Sequence, residues 1–321
     1  MAKRALIVGI NHYDKYNSLS CCVPDAQAMM EVLKRNGDGS PNFDCRLMTS
    51  PGPEPVTRRA LREKWSELFH AFPGDILFYF SGHGLPTDVG GYLVTQDGVP
   101  SDEGVKMQDL VDLANKSSAA SVLLILDCCF SGAAGNAPSV QGAVENQAIL
   151  REGVTILAAA GPQQLAIETA GHGVFTKLLL AAFRGGAADV RGRVSAASTY
   201  AYCEAALGAW DQRPLYKSHA ARLEPVRLCE PTVPDSLLRE LPKFFVTGDA
   251  GYQLHSTYEE TSKDANPEHV KIFKKFKRFQ IGGLVRPKER DDLYWAALKD
   301  EPVILTDLGR FYLQLAQAGR I

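Results

Sequence analysis

The chain has 321 residues, of which 35 are Lys or Arg and 37 are Asp or Glu. This near balance of charge excludes a general electrostatic attraction to nucleic acid or membrane surfaces, and the apolar runs are all far shorter than the about 20 residues that a membrane-spanning helix needs. The seven cysteines are odd in number and lack the spacing of a disulfide framework, which predicts a reduced, cytoplasmic protein.

The first two-thirds of the chain alternates predicted strands with predicted helices. Such alternation predicts an α/β fold with a mostly parallel sheet covered by helices on both faces. The predicted strands are residues 5–10 and 45–49, the runs that start at 75 and 122, and residues 92–95, 154–160 and 221–228, the last of which is expected to close the sheet. The predicted helices are residues 23–36, 57–72, 107–114, 174–183 and 195–208.

A change of composition near residues 231–234 predicts a linker and hence two domains, residues 1–230 and 231–321. The second domain combines a basic helix (residues 269–281), an extended segment and a final helix between Thr306 and Gly319. This small α+β pattern resembles a winged-helix domain, for which we expect a sensor or partner-binding role. Several Lys on one helix face more commonly form a solvated surface, so nucleic acid is not the favoured partner.

Two buried strands each lead into a small loop that carries a reactive side chain. The run that starts at Asp75 ends in Ser81-Gly-His83-Gly84, and the run that starts at Val122 ends in Asp127-Cys-Cys129. The carboxyl ends of parallel strands meet at one edge of a sheet, where a thiol and an imidazole together support nucleophilic acyl transfer. The backbone N–H groups of Gly84 and Cys129 lie on the same loops and could form an oxyanion hole.

Each of these residues also has a structural interpretation. A buried Cys is commonly a small core residue, and Asp25 could cap the helix that it precedes. A metal site made of His83, Cys128 and Cys129 is the chemical alternative, but adjacent cysteines lack the two-residue gap of zinc ligand pairs. The combined pattern favours catalysis, with no metal.

The motifs around these loops resemble the caspase-like cysteine peptidases, and among them the metacaspase type. The matching segments include residues 5–13, 22–28, 81–84, 127–132 and 173–176. The resemblance implies that Cys129 is the nucleophile, that His83 is the general base, and that Asp25 and Asp127 line the pocket for the substrate residue before the cut (P1). Two carboxylates in one pocket favour a cationic side chain, so we expect cleavage after Arg or Lys and not after Asp.

Many metacaspases require calcium, and here Asp97, Asp102 and Glu103 could supply part of such a site. The segment after Gly132 adds no acidic residue before Glu145, whereas calcium takes six or more oxygen ligands. We therefore do not expect calcium or another cofactor to be required. That segment also lacks Lys and Arg as far as Arg151, so self-cleavage just after the nucleophile is confined to Arg151.

The sequence thus predicts a cytoplasmic cysteine endopeptidase that acts on protein or peptide substrates with Arg at P1. Because a free protease in the cytosol must be restrained, we expect a ligand or partner at the C-terminal domain to switch it on. By family analogy, the protein would serve as an effector in stress or antiviral defence. Two alternatives remain: a catalytically silent scaffold of the same fold, and a nucleic-acid-responsive regulator that acts through its C-terminal domain.

Overall fold

The chain divides into two compact units. One comprises Met1–Ala188 and Arg193–Cys229, and the other comprises Asp189–Gly192 and Glu230–Ile321. The structure, a computed structural model, describes residues 2–87, 90–128, 149–159, 168–169, 172–207, 214–220 and 223–321.

The first unit is built on short strands and the helices between them. Its strands are β1 (Lys3–Ile10), β2 (Asp44–Ser50), β3 (Asp75–Ser81), β4 (Gly84–Thr87), β5 (Gly90–Val99), β6 (Asp102–Lys106), β7 (Ser121–Asp127), β8 (Val154–Ala158), β9 (Glu168–Thr169), β10 (His172–Gly173), β11 (Arg193–Ser195), β12 (Leu215–His219) and β13 (Pro225–Leu228). Its helices are α1 (Cys22–Lys34), α2 (Arg58–Phe69), α3 (Met107–Lys116), α4 (Val174–Ala181) and α5 (Ala196–Leu207).

The main sheet of the described residues has the strand order β12-β8-β7-β3-β1-β2. All neighbours pair in parallel except β12, which is antiparallel to β8. Successive side chains of β1 and β3 point to opposite faces. On one face Val8 and Phe78 pack with Trp65 of α2, and on the other Ile7 packs with Met29 of α1. These two cores confirm the predicted α/β fold.

The predicted closing strand of this sheet was wrong. Within the described part of that segment, residues 223–228, the strand is β13, which pairs with β11 in a separate two-stranded sheet. The edge of the main sheet is instead β12, whose Lys, Ser and His side chains are half-buried or exposed. An edge strand with one covered face does not need the continuous apolar run of a central parallel strand, so β12 lacks the signal used to predict strands.

The C-terminal unit has its own core and a small antiparallel sheet. Its elements are α6 (Asp235–Leu238), α7 (Leu241–Phe244), β14 (Gly251–Gln253), α8 (Pro267–Ile281), β15 (Val285–Pro287), α9 (Leu293–Leu298), β16 (Pro302–Leu305) and α10 (Asp307–Gln317). The strand order is β14-β16-β15, and helix α9 lies between β15 and β16 along the chain. The predicted N-cap at Thr306 is confirmed, since its hydroxyl accepts the N–H of Gly309 at 3.0 Å. The winged-helix assignment stays a prediction.

The basic helix α8 faces inward with its aromatic residues and outward with its lysines. Three of those lysines lie next to carboxylates from other segments: Lys275 is 2.7 Å from Glu240, Lys274 is 3.2 Å from Glu260 and Lys277 is 3.8 Å from Glu259. These acidic neighbours reduce the net positive charge that phosphate binding requires. The helices of the described residues are all too short or too polar to cross a membrane.

Candidate active site at the carboxyl edge of the sheet

Strands β1, β3 and β7 are neighbours, and the loops that follow them meet at one edge of the sheet. The last residue of β3, Ser81, is in register with Asp127 at the end of β7. Beyond that pair, the N–H of Gly82 donates to the Asp127 carbonyl at 3.4 Å. The segment that carries His83 therefore begins beside the segment that leads to Cys129, as the apolar runs predict. Cys129 itself lies outside the described residues.

The His83 loop is held by the segment that follows β1. The backbone N–H of His83 donates to the Tyr13 hydroxyl at 2.8 Å, and the Tyr13 ring lies 4.8 Å from the imidazole. Burial raises the pKa of Tyr13 well above its ordinary value, which keeps its hydroxyl neutral. The imidazole also contacts the main chain of this segment, since His83 Nε2 lies 2.8 Å from the carbonyl oxygen of Asn17.

The Asn17 contact assigns the tautomer of His83. A carbonyl oxygen only accepts hydrogen bonds, so Nε2 must carry the proton that lies between them. In the neutral imidazole, Nδ1 is then the nitrogen with the open lone pair. The ring is thus oriented with one nitrogen fixed by main chain and the other available as a base.

The residues beside the predicted nucleophile and His83 are buried. Cys128 is 2% exposed and belongs to the core that includes Phe80 and Leu126. This burial is typical of a structural cysteine. Gly84 begins β4 and pairs with Leu93 of β5. Among the described residues, groups of three or more His, Cys, Asp or Glu side chains placed to hold a metal are absent.

The two predicted pocket carboxylates converge on the backbone of Gly173, at the start of α4. Asp25 is 1% exposed and Asp127 is 7% exposed. The N–H of Gly173 donates to Asp25 Oδ2 at 3.1 Å. A Cβ atom on Gly173 would lie 3.1 Å from Asp127 Oδ2 and 3.3 Å from Asp25 Oδ2. Both carboxylates therefore face the same small space.

The alternative role of Asp25 as a helix cap is wrong. The N-cap of α1 is Cys21, whose own side chain makes no capping hydrogen bond, and the N–H of Val23 in the first turn donates to Asn11 Oδ1 at 3.1 Å. Asp25 lies within the first turn instead, where its own N–H bonds to the Cys21 carbonyl and its side chain points to Gly173. A buried carboxylate requires hydrogen-bond donors or a cation nearby.

The acidic residues considered for calcium are engaged with other groups. Asp97 Oδ1 accepts the Arg58 backbone N–H at 3.0 Å, Asp102 forms an ion pair with the Arg58 guanidinium, and Glu103 accepts the Ser101 N–H at 3.1 Å. A guanidinium among these carboxylates supplies the positive charge that a metal ion would bring. These residues do not fit a calcium site in this arrangement, and the absence of a calcium requirement stays a prediction.

Sequence reasoning missed three groups at this site. Tyr13 and Thr176 lie in segments that carry the family resemblance, but nothing in their spacing indicates their contacts. Thr176 donates to Asp127 Oδ2 at 2.5 Å. Asn17 acts through its carbonyl oxygen, and a main-chain contact leaves no residue-type signature in a sequence.

Comparison with known proteins agrees with these observations. The family described as the caspase domain (Peptidase_C14) matches residues 2–223. Metacaspase-6 of Arabidopsis thaliana is 33% identical over 146 residues, which are 41% of this chain and 39% of that protein. Metacaspase-5 of Trypanosoma cruzi is 33% identical over 144 residues, which are 40% of this chain and 32% of that protein. The matches thus span about two fifths or less of the length of these curated relatives.

Two solved structures share the fold. A protein from Geobacter sulfurreducens aligns with a TM-score of 0.52 and 19% identity, over 72% of this chain and 98% of its own. Caspase-1 from Spodoptera frugiperda aligns with a TM-score of 0.51 and 14% identity, over 71% of this chain and 90% of its own. The sheet order, the His83 loop and the family match over residues 2–223 lead to one conclusion: the chain belongs to the caspase domain family of peptidases.

Proposed function

We propose that the protein is a cysteine endopeptidase that cleaves after Arg, and less readily after Lys, with Cys129 as nucleophile and His83 as base. The observation that carries this proposal is the convergence of two buried carboxylates, Asp25 and Asp127, at Gly173. Two carboxylates in one small space disfavour each other's ionised form, and a cation between them offsets that repulsion. A guanidinium at P1 supplies that cation and can bond both groups through its forked donors.

The orientation of His83 supports a direct mechanism. Because Nε2–H is held by the Asn17 carbonyl, Nδ1 takes the proton of the Cys129 thiol. The thiolate attacks the carbonyl carbon of the scissile bond, and the N–H groups of Gly84 and Cys129 stabilise the oxyanion. The protonated His83 then gives its proton to the leaving amine, and a thioacyl-enzyme remains. Water, deprotonated by His83, hydrolyses this intermediate and regenerates the thiol.

The C-terminal unit has its own buried core, which supports a role separate from hydrolysis. We propose that it binds an activating ligand or partner, so that an intracellular protease stays restrained until a signal arrives.

The proposal is tested with matched fluorogenic peptides that end in Arg, Lys or Asp. We expect Arg-selective turnover that is lost in Cys129→Ala and retained in Cys128→Ser. Turnover after Asp would contradict the pocket assignment and leave the catalytic pair intact. If the wild-type chain is silent, labelling of Cys129 by an arginyl chloromethyl ketone indicates a latent protease, and failure to label supports a silent scaffold.

A further inference from the structure

A buried chain of hydroxyl groups ends on one of the two pocket carboxylates. The Tyr79 hydroxyl lies 2.6 Å from Thr176 Oγ1, and Thr176 Oγ1 lies 2.5 Å from Asp127 Oδ2. Tyr79 and Thr176 are both 0% exposed, so water does not compete for these contacts. Tyr79 lies on β3 and Thr176 on α4, which makes this a tertiary connection between the sheet and a helix.

The hydrogen bonds between these hydroxyl groups are all donated toward Asp127. An ionised carboxylate only accepts, so the Thr176 hydroxyl donates to Asp127, and Tyr79 in turn donates to Thr176. Burial, followed by the negative charges of Asp127 and Asp25, raises the pKa of Tyr79 well above its ordinary value. The phenol therefore remains a donor at neutral pH.

The first turn of α4 holds both acids of the pocket. Gly173, its N-cap residue, donates its backbone N–H to Asp25. Thr176, three residues later, donates its hydroxyl to Asp127. Residues three apart on a helix lie on the same side, so one helical turn sets the separation of the two carboxylates.

We propose that Thr176, oriented by Tyr79, is a positioning residue for substrate specificity that fixes the Asp127 carboxylate to receive a P1 guanidinium. This inference rests on the proposed function and assigns a role to residues that the catalytic mechanism does not use. Without the Thr176 hydroxyl, the Asp127 carboxylate can rotate, and Tyr79 and Asp127 each lose a buried hydrogen-bond partner. Binding of the substrate cation then has to reorder the pocket.

The test compares Thr176→Val, which keeps the branched shape, with Thr176→Ser, which keeps the hydroxyl. We expect Thr176→Val to lower kcat/KM for a P1 Arg peptide about tenfold, mainly through KM, because a hydrogen bond to a charged group is lost. Thr176→Ser should retain kcat/KM within about threefold of wild type. Tyr79→Phe should produce a smaller loss, since Thr176 keeps its bond to Asp127.

The rate of Cys129 alkylation by iodoacetamide, followed by peptide mapping, separates positioning from a general structural effect. Iodoacetamide is small and neutral and does not need the acidic pocket, so we expect the same rate in wild type and Thr176→Val. Burial raises the pKa of the Cys45 and Cys203 thiols to about 12, so these groups are mostly protonated and do not compete.

Two results would overturn this inference alone, with the proposed function intact. In the first, the wild type is Arg-selective and Thr176→Val has the same kcat/KM as wild type. In the second, Thr176→Val and Thr176→Ser lose kcat/KM equally and Cys129 is also alkylated more slowly. A wild-type chain with measurable turnover but no preference for Arg would overturn the proposed function, and this inference with it. Thermal unfolding of each variant shows whether a loss of kcat/KM comes from partial unfolding. Such a result would also count against a positioning role.

Discussion

Gly173→Ala offers a sharp steric test of the acidic pocket. Gly173 has φ −62° and ψ 137°, a conformation that Ala adopts without strain. The added methyl would lie 3.1 Å from Asp127 Oδ2 and 3.3 Å from Asp25 Oδ2, closer than the about 3.5 Å of an ordinary carbon contact. The two carboxylates must therefore shift by a few tenths of an ångström, and the methyl fills the space that they share.

The expected magnitude follows from the bonds that a P1 guanidinium would make. A hydrogen bond to a charged group contributes about 1.5–3 kcal/mol. Misplacing one of the two carboxylates should thus cost about 2 kcal/mol, which is about a 30-fold drop in kcat/KM. The free energy of unfolding should change by less than about 1 kcal/mol, because two effects oppose each other. Ala is a poorer N-cap residue than Gly, which destabilises the helix, but Ala also lowers the conformational entropy of the unfolded chain, which stabilises the fold.

The assay measures kcat/KM for a P1 Arg peptide together with urea unfolding. Gly248→Ala in the C-terminal unit is a matched control, since its new methyl would meet the flexible Arg310 side chain at 3.3 Å. A Gly173→Ala variant that is as stable as wild type and equally active on Arg would refute the idea that the substrate side chain enters between Asp25 and Asp127.

Further outcomes follow from the surroundings of the site. Tyr13→Phe removes the acceptor of the His83 backbone N–H, so we expect kcat to fall about tenfold while KM is retained. Steady-state kinetics measure both constants, and an unchanged kcat would contradict this prediction. The Arg151 guanidinium donates to three main-chain carbonyls and one hydroxyl, so it is not available to enter an acidic pocket. Intact-mass analysis of the active protein should therefore show no cleavage after Arg151, and a fragment that ends at Arg151 would contradict this prediction. Because the Arg58 guanidinium pairs with Asp102, added calcium should change kcat/KM by less than about twofold relative to chelator, and strict calcium dependence would contradict that expectation.

The central fold could be predicted because its strands carry a strong physical signal. Strands that are covered on both faces consist of continuous apolar runs. Strand β3 is buried along its whole length and β7 along nearly its whole length, so both carry such a run. The edge strand β12 could not be predicted in this way, because an edge does not require apolar residues on both faces. The order of the strands also depends on pairings between distant segments, which no local pattern encodes.

The candidate site could be predicted in part for a similar reason. His83, Asp25 and Asp127 sit at strand or helix ends, where loop residues with special chemistry stand out from apolar surroundings. The contact of Asp25 with Gly173 joins residues 148 positions apart, and Thr176 looks like any helical threonine until the fold brings it to Asp127. The contact of the Asn17 carbonyl with His83 could not be predicted for a different reason, since every residue has a main-chain carbonyl.

The most direct test of the account is the ratio of kcat/KM for peptides that end in Arg and in citrulline, which has the same shape without the charge. Wild type should favour Arg by at least about a hundredfold, because citrulline cannot neutralise the two carboxylates. Asp127→Asn should reduce that ratio by at least about tenfold. Equal turnover of both peptides by wild type would contradict the claim that Asp25 and Asp127 select the substrate by its charge.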